Sequence, residues 1–234
     1  MPQKFPCKIT QIVDHGDRIY SLFLEPEGQT PRFLAGQFLH LALDEYLPGD
    51  FWPESRPFSI ASSPFQRKLL RITYAVKGKF TTRMEAELKL DSTVWVKMPY
   101  GEFIVNGQTD ICLVAGGTGI TAFTAFLASL NPTQPHQVYL FYGARSPQLL
   151  VYRSVVEEAV RCCPDLHAYF LSEQSVEGMD CLPGRIEVAT IWKWVPDPLT
   201  VSFYISGPPE MLNAVSDGLI QRGVAPNKLF KDAW

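Results

Sequence analysis

The sequence predicts two domains of different architecture, an antiparallel β-barrel over residues 1–106 followed by an α/β domain on a parallel sheet over 107–234. Two observations predict this. The hydrophobic rhythm changes after Asn106-Gly107, and the Gly-rich turns of the second half fall where a strand passes into a helix.

In the first half apolar residues alternate with period two. Tyr20-Leu22-Leu24, Phe38 through Leu43, Leu70-Ile72-Tyr74-Val76 and Val94-Val96-Met98 each place apolar groups on one side of a strand. Turn clusters such as Leu47-Pro48-Gly49-Asp50 separate them, and one short helix is expected near Thr81 to Lys89. Short strands at this spacing predict a barrel of about six strands. In the second half the continuous apolar runs ICLVA, QVYLFYG, LHAYFL and VSFYIS alternate with helical segments. Ile120, Phe123, Leu127 and Leu130 share one helical face, and Leu150 to Arg161 and Met211 to Gln221 repeat the scheme. Such an alternation predicts a parallel sheet with ligands outside the carboxyl ends of its strands.

Bulk properties exclude several classes. With 234 residues, 46% hydrophobic and 19% charged, the chain is globular, and its net charge of −3 without a Lys/Arg run argues against nucleic acid. The five cysteines form no CxxC or iron–sulfur spacing, which predicts packed thiols in a reduced, cytoplasmic setting. MPQKFPCKIT lacks the apolar core of a signal peptide. Ile111 to Leu130 is uncharged and long enough to span a bilayer, but GGTG at its centre makes it a strand, a turn and a helix, so no membrane span is expected. The four histidines lie outside every motif, and no HExxH, GxSxG or metal-ligand cluster occurs.

Four stretches carry chemistry. Arg56-Pro57-Phe58-Ser59-Ile60-Ala61-Ser62-Ser63-Pro64 can supply a flat apolar wall, a hydroxyl and a phosphate-binding cation, the set a flavin requires; a surface Arg followed by a Ser/Pro turn is the alternative. Lys77-Gly78-Lys79-Phe80-Thr81 runs through a turn into a helix start, whose free N–H groups attract an anion such as a pyrophosphate. Ala115-Gly116-Gly117-Thr118-Gly119-Ile120 follows a strand and opens a helix, the context in which a Gly-rich turn binds phosphate. No acidic residue ends the next strand, where Gly143-Ala144-Arg145 stands instead, so an ordinary Rossmann dehydrogenase is excluded. Ser206-Gly207-Pro208-Pro209-Glu210-Met211 is a further strand–turn–helix junction, with prolines suited to a first helical turn.

Taken in this order, the motifs resemble those of the ferredoxin–NADP reductase superfamily over nearly the whole chain. RPFSIASSP is similar to its RxYS/T flavin motif and GKFTTRM to its GxxS/T pyrophosphate motif. Pro99 to Phe103, PYGEF, is similar to its GPxGxF segment, GGTGIT to its nicotinamide-nucleotide loop, and SGPPEM to its CGPxxM loop. The resemblance implies an FAD-binding barrel ahead of a Rossmann-like domain for the nicotinamide nucleotide. It implies that Arg56 contacts the FAD phosphates, that Phe58, beside Pro57, lies against the isoalloxazine, and that Ser59 hydrogen-bonds near the nitrogen that accepts hydride. Tyr74, Val76 and Lys77 would lie along FAD, and Gly78, Phe80 and Thr81 would hold its pyrophosphate. Gly117, Thr118 and Gly119 would receive the nucleotide, with Ser206, Gly207, Pro208 and Met211 beside the nicotinamide.

The sequence departs from the family pattern where Phe58 replaces Tyr and Ser206 replaces Cys. No ferredoxin-type cluster segment is present, so a redox protein or a small molecule is expected to accept the electrons. The function implied is transfer of hydride from NADH, or NADPH, to bound FAD. Ser172-Glu173 stands where NADPH-using relatives carry a Ser-Arg pair, which favours NADH, while Arg145 is the residue that could reach a 2′-phosphate. Trp234 is expected either to cover the flavin or to seal the domain interface. The alternatives are a free-flavin reductase, which has little need of a pyrophosphate grip, and a non-catalytic relay subunit, which has no need of GGTGIT and SGPPEM.

Overall fold

The computed structural model describes residues 1–106, 109–133, 135–174, 178 and 180–232. The chain divides into two compact units, Met1–Ile104 and Val105–Trp234.

The first unit is a nearly closed six-stranded antiparallel sheet with the order β4-β3-β6-β1-β2-β5. Its strands are β1 (Gln3–Asp14), β2 (Ile19–Pro26), β3 (Phe38–Ala42), β4 (Ser55–Ser59), β5 (Leu70–Ala75) and β6 (Thr93–Tyr100), with helix α1 (Lys79–Glu87) between the last two. Alternation puts Leu22, Leu24, Leu39, Leu41, Leu70, Ile72, Val94, Val96 and Met98 in the interior, each with no exposed surface. Past the outer strands β4 and β5 the chain binds itself again, where Ala61 N–H donates to the Arg71 carbonyl at 2.8 Å. Phe80 and Met84, one turn apart on α1, are buried with this core. The β1–β2 hairpin turns through Gly16, Asp17 and Arg18, all at positive φ, and Asp14 Oδ1 accepts the Gly16 N–H at 2.8 Å. Asp tolerates that left-handed backbone better than most side chains and caps it locally.

The longest strand, β1, is the one the alternation does not announce. Only Cys7 and Ile9 of its residues are fully buried, Pro6 interrupts its donors, and its register shifts between Ile9 and Gln11.

The second unit is a parallel sheet of order β10-β9-β8-β7-β11-β12. It comprises β7 (Ile111–Gly116), β8 (Val138–Ala144), β9 (Leu166–Ser172), β10 (Leu182–Pro183), β11 (Ser202–Ser206) and β12 (Leu229–Asp232). The helices are α2 (Thr121–Leu127), α3 (Arg153–Cys162), α4 (Val188–Trp194) and α5 (Pro209–Gln221). α2 packs beside α3, and α4 beside α5. Ile191 of α4 and Leu212, Val215 and Leu219 of α5 share one cluster with Cys112, Val114, Phe141, Phe203 and Ile205 of the sheet. Because β7, the first strand of this unit, sits inside the sheet, connections leave it in opposite directions and the strand order reverses between β7 and β11. A crevice opens at such a point outside the carboxyl ends. No described helix is long and apolar enough to cross a membrane.

Two histidines of the first unit are held by hydroxyls: His15 Nε2 lies 2.8 Å from Ser21 Oγ, and His40 Nδ1 lies 3.3 Å from Ser55 Oγ. Burial lowers the pKa of both, with Arg71 adding to the effect on His15 and Lys97 on His40. A folded value below the unfolded one of about 6.5 means that the unfolded chain binds more protons as the pH falls. The barrel's melting temperature is therefore expected to drop from pH 7.5 to 5.5, and calorimetry should show a shallower drop in His15→Gln/His40→Gln protein.

Candidate functional site

In the first unit the site is a cleft of about 490 Å³ lined by Arg56, Pro57, Phe58, Ala75, Lys77, Gly78, Lys79, Phe80 and Thr81. Two sequence-distant stretches form it, β4 and the β5–α1 junction. Arg56 and Phe58 fall on the same side of β4 because they are two residues apart in an extended chain. The Arg56 guanidinium lies 5.2 Å from the centre of the Phe80 ring and donates to Glu54 Oε1 at 2.7 Å. Phe58 meets Tyr74 edge-on, with centroids 6.0 Å apart. Tyr74 is 4% exposed and burial raises its phenol pKa, so it backs Phe58 from within the barrel and does not line the cleft. Ser59 and Val76 flank the cleft without lining it.

The cleft's donor set suits an anion with a planar partner. Three cationic residues, Arg56, Lys77 and Lys79, line the cleft with the N-terminus of α1, whose first N–H groups lack intrahelical acceptors. Gly78 has the extended backbone φ −139°, ψ −180°, open to any residue, and nothing lies within 4 Å of where its Cβ would stand. A glycine there is not demanded by conformation; it leaves the helix start uncovered. The Thr81 hydroxyl accepts the N–H groups of Lys77 at 2.9 Å and Gly78 at 3.1 Å. These residues fit the phosphates and ring of a flavin nucleotide.

In the second unit the GGTGIT and SGPPEM stretches meet at the carboxyl ends of β7 and β11, whose register pairs Ser206 with Ala115. A Cβ on Gly116 would lie 2.7 Å from Met211 Sδ, one on Gly119 would lie 2.4 Å from the Ser206 carbonyl oxygen, and one on Gly207 would lie 3.0 Å from Gly116 Cα. Gly119 and Gly207 allow the two loops to pack backbone against backbone, and Gly116 makes room for the Met211 and Pro208 side chains. Gly117 differs: its φ is +54° and nothing surrounds its Cβ position. It begins a single 3-10 turn, Gly117–Ile120, and α2 follows, so the Gly-rich turn does not open directly into an α-helix. Ser206 is 3% exposed and its hydroxyl donates to Asp232 Oδ2 at 2.9 Å.

Near the ends of β8 and β9, Ser172 is 2% exposed and its hydroxyl donates to the Gln174 carbonyl at 2.7 Å. Glu173 Oε2 lies 3.0 Å from Arg185 Nε, and the Arg145 carbonyl accepts the Gln174 N–H at 3.1 Å. Trp234 lies outside the described residues. A groove of about 360 Å³ between α2 and α3 carries an apolar wall and the Glu158 carboxylate, chemistry that does not suit a phosphate. No group of three or more possible metal ligands occurs among the described residues.

Sequence reasoning missed Glu54, Arg185 and Asp232, and gave no role to Lys79, which stands inside the GKFTTRM stretch. Glu54 was legible as the neighbour of a motif residue. Asp232 and Arg185 gave no local signal, because their partners are distant in sequence.

Comparison with known proteins agrees with this geometry. Residues 113–217 match the oxidoreductase NAD-binding domain family. The NAD(P)H-flavin reductase of Vibrio harveyi is 27% identical over 97% of both chains. A solved ferredoxin NADP+ reductase from Neisseria gonorrhoeae, with bound FAD and NADP, superposes with a TM-score of 0.79 over 98% of both chains at 18% identity. The solved neighbour shows the fold, an antiparallel barrel and a parallel-sheet domain in one chain. The reductase component of propane 2-monooxygenase from Rhodococcus jostii (strain RHA1) is 30% identical over 99% of this chain and 64% of that protein.

The glycines of this chain should respond differently to the same change. Gly119→Ala drives a methyl into the Ser206 carbonyl and is expected to cost about 3 kcal/mol or more. Gly78→Ala meets open space and should cost under about 1 kcal/mol, the range of a changed helix cap. Chemical denaturation of the two variants checks the contrast.

Proposed function

We propose that the first unit holds FAD in the Arg56–Thr81 cleft, that NADH is the preferred donor to the second unit, and that a separate redox protein or small molecule takes the electrons. The observation that carries this reading is that Arg56, Lys77 and Lys79 line one cleft together with Phe58, Phe80 and the start of α1. When bound, the flavin accepts hydride from the nicotinamide and can release electrons singly. Arg56, Gly78 and Thr81 hold the phosphates, with Lys77 and Lys79 supplying charge. Phe58 is the planar wall, kept in place by Tyr74, and Ser59 at the end of β4 offers its hydroxyl beside the ring. In the second unit Gly117, Thr118 and Gly119 face the nucleotide. Gly207, Pro208 and Met211 frame the nicotinamide, and Ser206 is fixed by Asp232.

Preference for NADH rests on the β9 end. Ser172 turns its hydroxyl inward and Glu173 presents a carboxylate, so neither residue welcomes a 2′-phosphate. The acceptor belongs to the classes served by related reductases, among them monooxygenase systems.

Two observations favour a second reading, in which flavin is a diffusing substrate. Thr81 satisfies the Lys77 and Gly78 N–H groups internally, and the match to an NAD(P)H-flavin reductase runs end to end.

Purified protein is expected to be yellow, with about one FAD per chain after gel filtration, and to bleach on anaerobic addition of NADH. Arg56→Ala should weaken FAD binding by about 10- to 100-fold, the worth of a charge-assisted phosphate bond. Colourless protein that reduces added flavin supports the second reading. Steady-state kinetics should give a higher specificity constant with NADH than with NADPH; the reverse order assigns the nucleotide end to Arg145 and Arg185.

A further inference from the structure

The Arg56 side chain meets two acceptors of its own chain. Nη2 donates to Glu54 Oε1 at 2.7 Å, and Nη1 donates to the Ser55 carbonyl at 2.9 Å. Glu54 stands at a bend immediately before β4, two residues ahead of Arg56, and the bend leaves its carboxylate in contact with the guanidinium. The carboxylate is therefore held beside a residue that lines the cleft. The acidic residues of α1 are engaged elsewhere: Glu85 with Arg18 and Tyr20, and Glu87 with Arg83.

We infer that Glu54 is a built-in competitor for the flavin phosphate, occupying Arg56 when the cleft holds no flavin and so setting how tightly flavin is retained. The inference rests on the reading of this cleft as the flavin site. Both partners are substantially exposed, with side-chain exposures of 48% for Arg56 and 59% for Glu54. A pair in that setting exchanges readily, because each ion can return to water. A phosphate arriving at Arg56 displaces one carboxylate oxygen, and the released carboxylate stays close enough to repel it. The cleft is thus self-satisfied in two places, at Arg56 by Glu54 and at the Lys77 and Gly78 N–H groups by Thr81. Glu54 makes the flavin exchangeable without removing any group that recognises it.

Glu54→Gln keeps the side chain's size and its acceptor oxygen but removes the charge. Affinities for FAD, FMN and riboflavin, read from flavin fluorescence at low ionic strength, test the role. FAD and FMN should bind about two- to fivefold tighter to the variant, the size one exposed ion pair allows. Riboflavin, which has no phosphate, should bind as it does to the unaltered protein. The gain should shrink in high salt and fall in an Arg56→Ala background, where only the direct repulsion is left to relieve. Unchanged FAD affinity, or an equal gain for riboflavin, overturns the inference while leaving the flavin site standing. Unaltered protein that binds none of the three overturns the flavin reading and the inference together.

Discussion

The parallel pairing of β7 with β11 is the constraint on which the nucleotide half depends. These strands are far apart in sequence, and their register brings Ser206 level with Ala115, so that the turns beyond both strands leave the sheet at the same height. Two turns at one height compete for the same space. Glycine resolves the competition at Gly116, Gly119 and Gly207, where a Cβ would strike the opposing loop. The Gly-rich signature thus has two physical origins. Most of its glycines serve loop-on-loop packing, and Gly117, with its left-handed backbone and empty surroundings, is the one whose freedom faces outward.

The barrel solves a different problem, presenting positive charge to solvent without leaving it unanswered. Arg56 leans over the Phe80 ring and reaches Glu54, and Thr81 closes on the backbone ahead of α1. A surface that binds an anion cannot bury these groups, because desolvation would cost more than the empty state could recover. It keeps them exposed and weakly partnered. Tyr74 and Phe80 are the buried counterparts, fixing the cleft's walls through the core.

Much of this was legible in the sequence. Period-two runs gave β2, β3, β5 and β6, and the continuous apolar runs gave β7, β8, β9 and β11, because burial on one face or on both leaves a direct mark on composition. β1 was hidden, since most of its residues are half-buried or exposed and Pro6 breaks the pattern. α4 also escaped, because only Ile191 in its seven residues is fully buried. At the site, motif order placed Arg56, Phe58, Gly78 and Thr81 on one cleft. What motif order could not supply was the partner of each group: that Tyr74 stands behind the wall, that Ser206 is bonded to Asp232, and that Glu173 is paired with Arg185. Those pairings are products of chain crossing, which no local window contains.

The outer strands of the parallel sheet carry one further consequence. A strand with a free side is a template on which another chain can add itself, and long, flat, apolar edges seed aggregation. Here β10 has two residues, one of them Pro183, which has no N–H to offer, and β12 has four, with Lys231 and Asp232 at its close. The sheet is widest in its interior and narrows to stubs at both sides. Neighbouring chains are thereby offered little backbone on which to add a strand.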